Sequence, residues 1–306
     1  IHKIGLAEVA RLTAEMEEIK EKVGFTGNLQ EFFAFIKEDD QFFYPNTDEG
    51  RQGYITDTEV YLDYIKEQLP EYFGILPKAD LVVKRVEPFR EQDGAAQHYF
   101  PGTPDGSRPG TYYANLYNMA DMPVYQMEAL AYHEGIPGHH MQIAIAQELK
   151  DVPKFRKYGG YTAYTEGWGL YSEYFPKEYG FYEDPYSDFG RLAMELWRAA
   201  RLVVDTGIHS KKWTREEAIQ YLLDNTPNPE GDCRKAIERY IVMPGQATAY
   251  KIGMLKILEL REHAKKELGD AFDIREYHDT VLKNGAVPLS TLEALVDKWI
   301  ETKKSS

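Results

Sequence analysis

Three of the chain's eight histidines fall within eight positions, in the stretch Tyr132-His133-Glu134-Gly135-Ile136-Pro137-Gly138-His139-His140-Met141-Gln142. Imidazole is the commonest protein ligand for zinc, and a glutamate beside a ligand histidine is the usual general base of a metallopeptidase. On one straight helix two such histidines stand at i and i+4. Here that position is Pro137, which offers no donor, and His139 and His140 follow at i+6 and i+7. Gly135, Pro137 and Gly138 are the residue types that break or bulge a helix. Two residues looped out between Ile136 and His139 would return His139 to the place of the second ligand. His140 then points elsewhere, toward substrate, although it is the competing choice for the metal.

A catalytic zinc keeps three protein ligands and one open position. The third is assigned to Glu166, in Tyr164-Thr165-Glu166-Gly167-Trp168-Gly169-Leu170-Tyr171-Ser172-Glu173, with Glu128 and Glu173 as competitors. Among those aromatic neighbours an unpaired carboxylate would be costly to bury, and coordination would offset that cost. Glu173, seven residues on and so on the same helical face, could hydrogen-bond a ligand from behind. Glu134 would be the general base, taking a proton from a water whose pKa the metal lowers to about 7 and passing it to the leaving amine.

These residues need a scaffold, and the rest of the chain reads as mainly helical. Residues 3–23, 29–38 and 56–69 carry helical apolar spacing, with a turn at 44–48. The β-branched run 81–86, a segment at 94–99, a turn-rich loop at 101–110 and a strand at 111–117 predict a small sheet just upstream of the histidines. Such a strand can hold an extended substrate, or be an ordinary hairpin. Helices are then expected over 124–134, 139–150, 161–175, 188–206, from 214, and over 234–241, 246–268, 274–284 and 290–301. Capping boxes are expected at Thr214/Glu217 and Ser290/Glu293.

Composition narrows the function. A formal charge of −14 without a basic run argues against a nucleic-acid partner. The one cysteine, Cys233, excludes an intrachain disulfide and a cysteine-based metal site. No apolar run approaches the roughly twenty residues of a membrane span. The chain starts Ile1-His2-Lys3 without a signal-peptide pattern, so residues 1–306 are read as a single catalytic domain forming the C-terminal part of a longer protein.

The histidine stretch and Glu166-Gly-Trp-Gly-Leu-Tyr-Ser-Glu173 closely resemble the bacterial family called domain of unknown function 885. So do Arg198-Ala-Ala-Arg-Leu-Val-Val-Asp-Thr-Gly-Ile-His209, Arg239 to Gly253, Phe272-Asp273 with Tyr277-His278, and Gly285-Ala-Val-Pro-Leu289. The resemblance covers nearly the whole chain. It implies a zinc metallopeptidase of gluzincin type, with two His ligands, one Glu ligand and a Glu base. The implied fold is a multi-helix, zincin-like peptidase domain with a two-lobed cleft, similar to oligopeptidases carrying H-E-F-G-H. It further implies a longer protein, secreted or held at the cell envelope. Chemistry and resemblance together add His209, oriented by Asp205, and Tyr250 as catalytic donors to an oxyanion. His140, Gln246, Tyr113 and Arg201 are assigned to substrate binding. Arg198, Arg201 and Arg239 could meet a substrate carboxylate, with two of the three expected in structural ion pairs.

The combined reading is zinc-dependent hydrolysis of short peptides, with Zn2+ on His133, His139 and Glu166. The alternatives are a zinc amidohydrolase acting on a non-peptide amide, and a binding protein whose histidine cluster is structural. Oligomeric state is unassigned.

Overall fold

The computed structural model describes residues 1–93, 95–150 and 152–305. Helix α1 (His2–Lys22) buries Val9, Leu12, Met16 and Ile19, one side of an amphipathic helix. Helix α2 (Leu29–Glu38) opens on a reciprocal cap, in which the Asn28 side chain accepts from the Glu31 amide at 2.9 Å and Glu31 accepts from the Asn28 amide at 2.8 Å. Helix α3 (Asp48–Tyr72) begins earlier than the expected Thr56. The Thr47 hydroxyl caps it, and Asp48 and Glu49 occupy the positive first turn. It also runs past Pro70, which lies in its last turn and removes only one backbone donor.

Strands β1 (Leu81–Arg85), β2 (His98–Phe100) and β3 (Gly110–Ala114) form one sheet in the order β1-β3-β2. β1 runs parallel to β3 with Val83 opposite Tyr112, and β2 runs antiparallel with Tyr99 opposite Tyr112. The ladder is shorter than the expected 111–117, because the Asn115 amide donates to the Gln97 side chain instead of a backbone carbonyl. The segment expected at 94–99 becomes a strand only from His98, and Gly94 lies outside the described residues.

The remainder is helical: α4 (Met127–Glu134), α5 (His139–Glu148), a short unanticipated α6 (Lys154–Tyr158), α7 (Thr162–Glu178), α8 (Pro185–Lys211), α9 (Arg215–Asn225), α10 (Glu230–Val242), α11 (Ala249–Leu268), α12 (Ile274–Leu282) and α13 (Leu289–Lys304). The Thr214/Glu217 capping box is present at the start of α9. The expected box at Ser290/Glu293 does not form. Helix α13 starts one residue earlier, with Pro288 at its N-cap, and Glu293 instead pairs with Lys256 of α11 at 3.2 Å.

Apolar packing divides into two main clusters. One joins α3, the sheet, α4, α5, α7 and α11 to α13, and the other joins α1, α2 and α8 to α10. A buried ionic cluster ties α1, α8 and α11 together. The Lys251 ammonium lies 2.9 Å from Glu8 and also pairs with Glu195, which Arg11 meets at 2.7 Å. Burial works against the Glu195 carboxylate, but Lys251, Arg191 and Arg11 hold its pKa down at about 2. Among the described residues no helix is long and apolar enough to cross a membrane.

Candidate metal centre

Helix α4 stops at Glu134, where the Gly135 amide makes a last bond to the Ala131 carbonyl at 2.8 Å. The chain then folds back through Gly135-Ile136-Pro137-Gly138, with a cis Ile136–Pro137 peptide, and α5 begins at His139. A Cβ at position 138 would lie 2.0 Å from the His133 carbonyl oxygen, so only glycine allows the loop to close this tightly. The Trp168 indole N–H of α7 donates to the Pro137 carbonyl at 2.8 Å and fastens the loop to the next helix.

The break brings the His133 and His139 rings together, with centroids 4.6 Å apart and planes 82° to each other. Glu166 of α7 faces both, its Oε2 3.7 Å from His133 Nε2 and 3.4 Å from His139 Nε2. One donor atom from each of the three lies within 4.8 Å of the others, so this cluster could hold a metal ion. Two imidazoles and a carboxylate form a donor set suited to a divalent transition cation. Behind it, Glu173 Oε1 stands 2.6 Å from His133 Nδ1. Burial disfavours a charged His133, but Glu166 and Glu173 outweigh it and raise its pKa to about 10. Burial likewise opposes ionisation of Glu166, yet His133 and His139 hold its carboxyl well below the usual range.

The cluster opens into a cavity of about 540 Å³. Its lining includes Glu134, His133, His139 and Glu166, the 96–99 segment, and Trp197, Arg198, Arg201, Arg239 and Tyr250. Both apolar clusters therefore supply walls. Glu128, a competitor for the third ligand, is instead turned toward Tyr132, whose hydroxyl donates to it at 2.9 Å.

Of the remaining site residues expected from sequence, Tyr250 and Arg201 reach the cleft and four do not line it. His140 is buried with Nε2 2.9 Å from the Ala79 carbonyl oxygen and Nδ1 3.1 Å from the Tyr99 hydroxyl, and burial lowers its pKa to about 4. It sits next to His139 in α5, and the helix turns the two rings to different sides. His209 places Nε2 2.9 Å from the Tyr240 carbonyl oxygen, while Asp205 accepts from the Gly245 amide at 3.0 Å, so Asp205 secures the turn before α11. Gln246 lines a neighbouring cavity, and Tyr113 stacks on His98 at 5.4 Å.

The arginines also depart from expectation. Arg198 approaches Glu173 at 3.9 Å, but Arg201 and Arg239 pair with no carboxylate among the described residues. Arg201 lies over the rings of Tyr250, Trp197 and Tyr240, at 4.9, 5.6 and 5.8 Å. Asn228 and the 96–99 segment also line the cleft, beyond the site residues expected from sequence. The turn-rich Thr226-Pro227-Asn228-Pro229 was a usable signal for the first, since loops carry function on rigid scaffolds.

A solved structure described as "the putative lipoprotein from Colwellia psychrerythraea" is 45% identical over 98% of this chain and 52% of that one, with a TM-score of 0.94. Another, described as "a putative lipoprotein of unknown function from Shewanella oneidensis", shares the fold at 22% identity and a TM-score of 0.80, over 96% of this chain and 55% of that one. This chain thus spans about half the length of each. No curated protein matches it. The family model described as "Bacterial protein of unknown function (DUF885)" matches residues 1–296, and the chain belongs to that family.

Proposed function

We propose that this chain is a zinc-dependent hydrolase that cleaves peptide bonds in short peptides. The observation that carries the reading is the convergence of His133, His139 and Glu166 on the wall of a cavity that Glu134 also lines. Zinc held there would supply a Lewis acid that polarises the scissile carbonyl and makes water more acidic. Glu134 takes the proton from the attacking water and delivers it to the leaving amine. Glu173 fixes the ring of His133 from behind, leaving Nε2 directed at Glu166 and the cleft. Tyr250, on the wall of the same cavity, is the donor to the developing oxyanion.

Substrate seating follows from the sheet. β2 is an edge strand, and His98 and Tyr99 line the cleft, so an extended peptide can add to that edge through its backbone. A cavity of about 540 Å³ suits a short peptide. We further propose a zincin-like arrangement of the cleft and a place at the cell envelope, the latter supported by relatives described as putative lipoproteins.

The test is metal analysis of protein purified without added zinc, combined with a peptide library and Glu134→Gln. The expected result is about one zinc per chain in both proteins, cleavage abolished by chelation and restored by zinc, and a loss of roughly 10²–10⁴-fold in the variant. Substoichiometric metal with no cleavage would overturn the reading. Cleavage confined to non-peptide amides would replace the peptidase with an amidohydrolase.

A further inference from the structure

Arg198 and Arg201 lie one turn apart on α8, and Arg239 of α10 lines the same cavity. The chain has 50 acidic and 36 basic side chains, so a cation without a carboxylate partner is not explained by a shortage of acids. Arg201 is nevertheless stacked among Tyr250, Trp197 and Tyr240, and its buried Nε has no hydrogen-bond partner among the described residues. Aromatic faces hold a guanidinium in one plane while leaving its N–H edge free for a bidentate anion. A partly buried cation of this kind is stabilised when an anion reaches it.

The position of the group indicates which anion. Arg198 approaches Glu173 at 3.9 Å, and Glu173 meets His133 at 2.6 Å, so the cationic wall begins beside the candidate metal centre. Arg201 follows Arg198 by one helical turn, about 4.5 Å of axial rise, a step comparable to the ~3.5 Å covered by one extended residue. We infer that Arg201 and Arg239 bind the free C-terminal carboxylate of the substrate, so that cleavage falls within a residue or two of the C-terminus. This rests on the peptidase reading and adds its polarity.

The test compares matched short peptides ending in a free acid or an amide, using the zinc-loaded protein. The expected result is a KM for the amide at least about tenfold higher, a ratio that falls toward one in Arg201→Gln and is partly kept in Arg201→Lys, with zinc content unchanged in both. A second pair exchanges an internal Glu for Gln. If that pair shows the discrimination and the acid–amide pair does not, the site reads an acidic side chain and the inference is overturned. Equal KM values in every pair overturn it as well. Should no peptide be cleaved, the peptidase reading fails separately, and the carboxylate site is judged by titration calorimetry of Glu134→Gln. N-acetyl-dialanine binding more tightly than its amide, with the preference lost in Arg201→Gln, supports the site, and equal binding refutes it.

Discussion

The Glu173 carboxylate meets His133 at 2.6 Å, Oε1 to Nδ1, and the same oxygen lies 3.9 Å from the Arg198 guanidinium. A carboxylate in this position selects the ring tautomer, holds the plane of the imidazole and raises its basicity as a ligand. Glu173→Gln should keep the fold and weaken metal binding by about 10–100-fold. Competition against a chromophoric chelator measures this directly, and unchanged affinity would show that α4 alone positions His133.

Gly169 lies under the same ring. A Cβ there would come 2.7 Å from His133 Cε1 and 2.9 Å from Nε2, too close for any real contact. Gly169→Ala should therefore push the imidazole out of place and lower metal affinity by about tenfold or more, even though alanine is the better helix former by about 1 kcal/mol. Gly231→Ala is the control. Position 231 in α10 has nothing among the described residues within 4 Å of a new Cβ, so that variant should bind metal normally and melt no lower than the parent.

Glu128 gives a pH signature away from the cleft. Burial raises its pKa from 4.5 to about 7, partly opposed by hydrogen bonds from Tyr132 and Ser187. An acid whose folded pKa lies above its unfolded one favours folding while protonated. Its contribution is complete below pH 4.5 and is lost as pH rises through about 7. The difference corresponds to about 3 kcal/mol. Urea denaturation between pH 5 and 8 should show this loss in the parent and a flatter profile in Glu128→Gln, whose amide oxygen can still accept from Tyr132. Parallel profiles would mean that Glu128 is relieved of its burial in solution.

The chemistry-bearing residue types were legible because they are local. His133, Glu134 and His139 lie within seven positions, and the Gly135-Ile136-Pro137-Gly138 interruption itself announces a broken helix. The helical class was legible too, since amphipathic spacing repeats along most of the chain. Helix starts were less so: Asp48 and Leu289 depend on caps whose effect is decided by neighbours, as when Lys256 draws Glu293 away from the start of α13.

Which side chains share the cleft was settled only in three dimensions. Asp205 and His209 are one turn apart, a spacing that suggests a catalytic pair, yet packing gives one the Gly245 amide and the other the Tyr240 carbonyl. His140 lies beside His139 in sequence and on another side of α5, against Ala79 and Tyr99. By itself the sequence determined a helical chain with a histidine–glutamate cluster at a broken helix. The tertiary structure decided that α7 brings Glu166 to both histidines, and that α8 and α10 bring cations to face them. Periodicity reports which side of an element is apolar, whereas a site is made of long-range contacts between elements, and no local pattern encodes those.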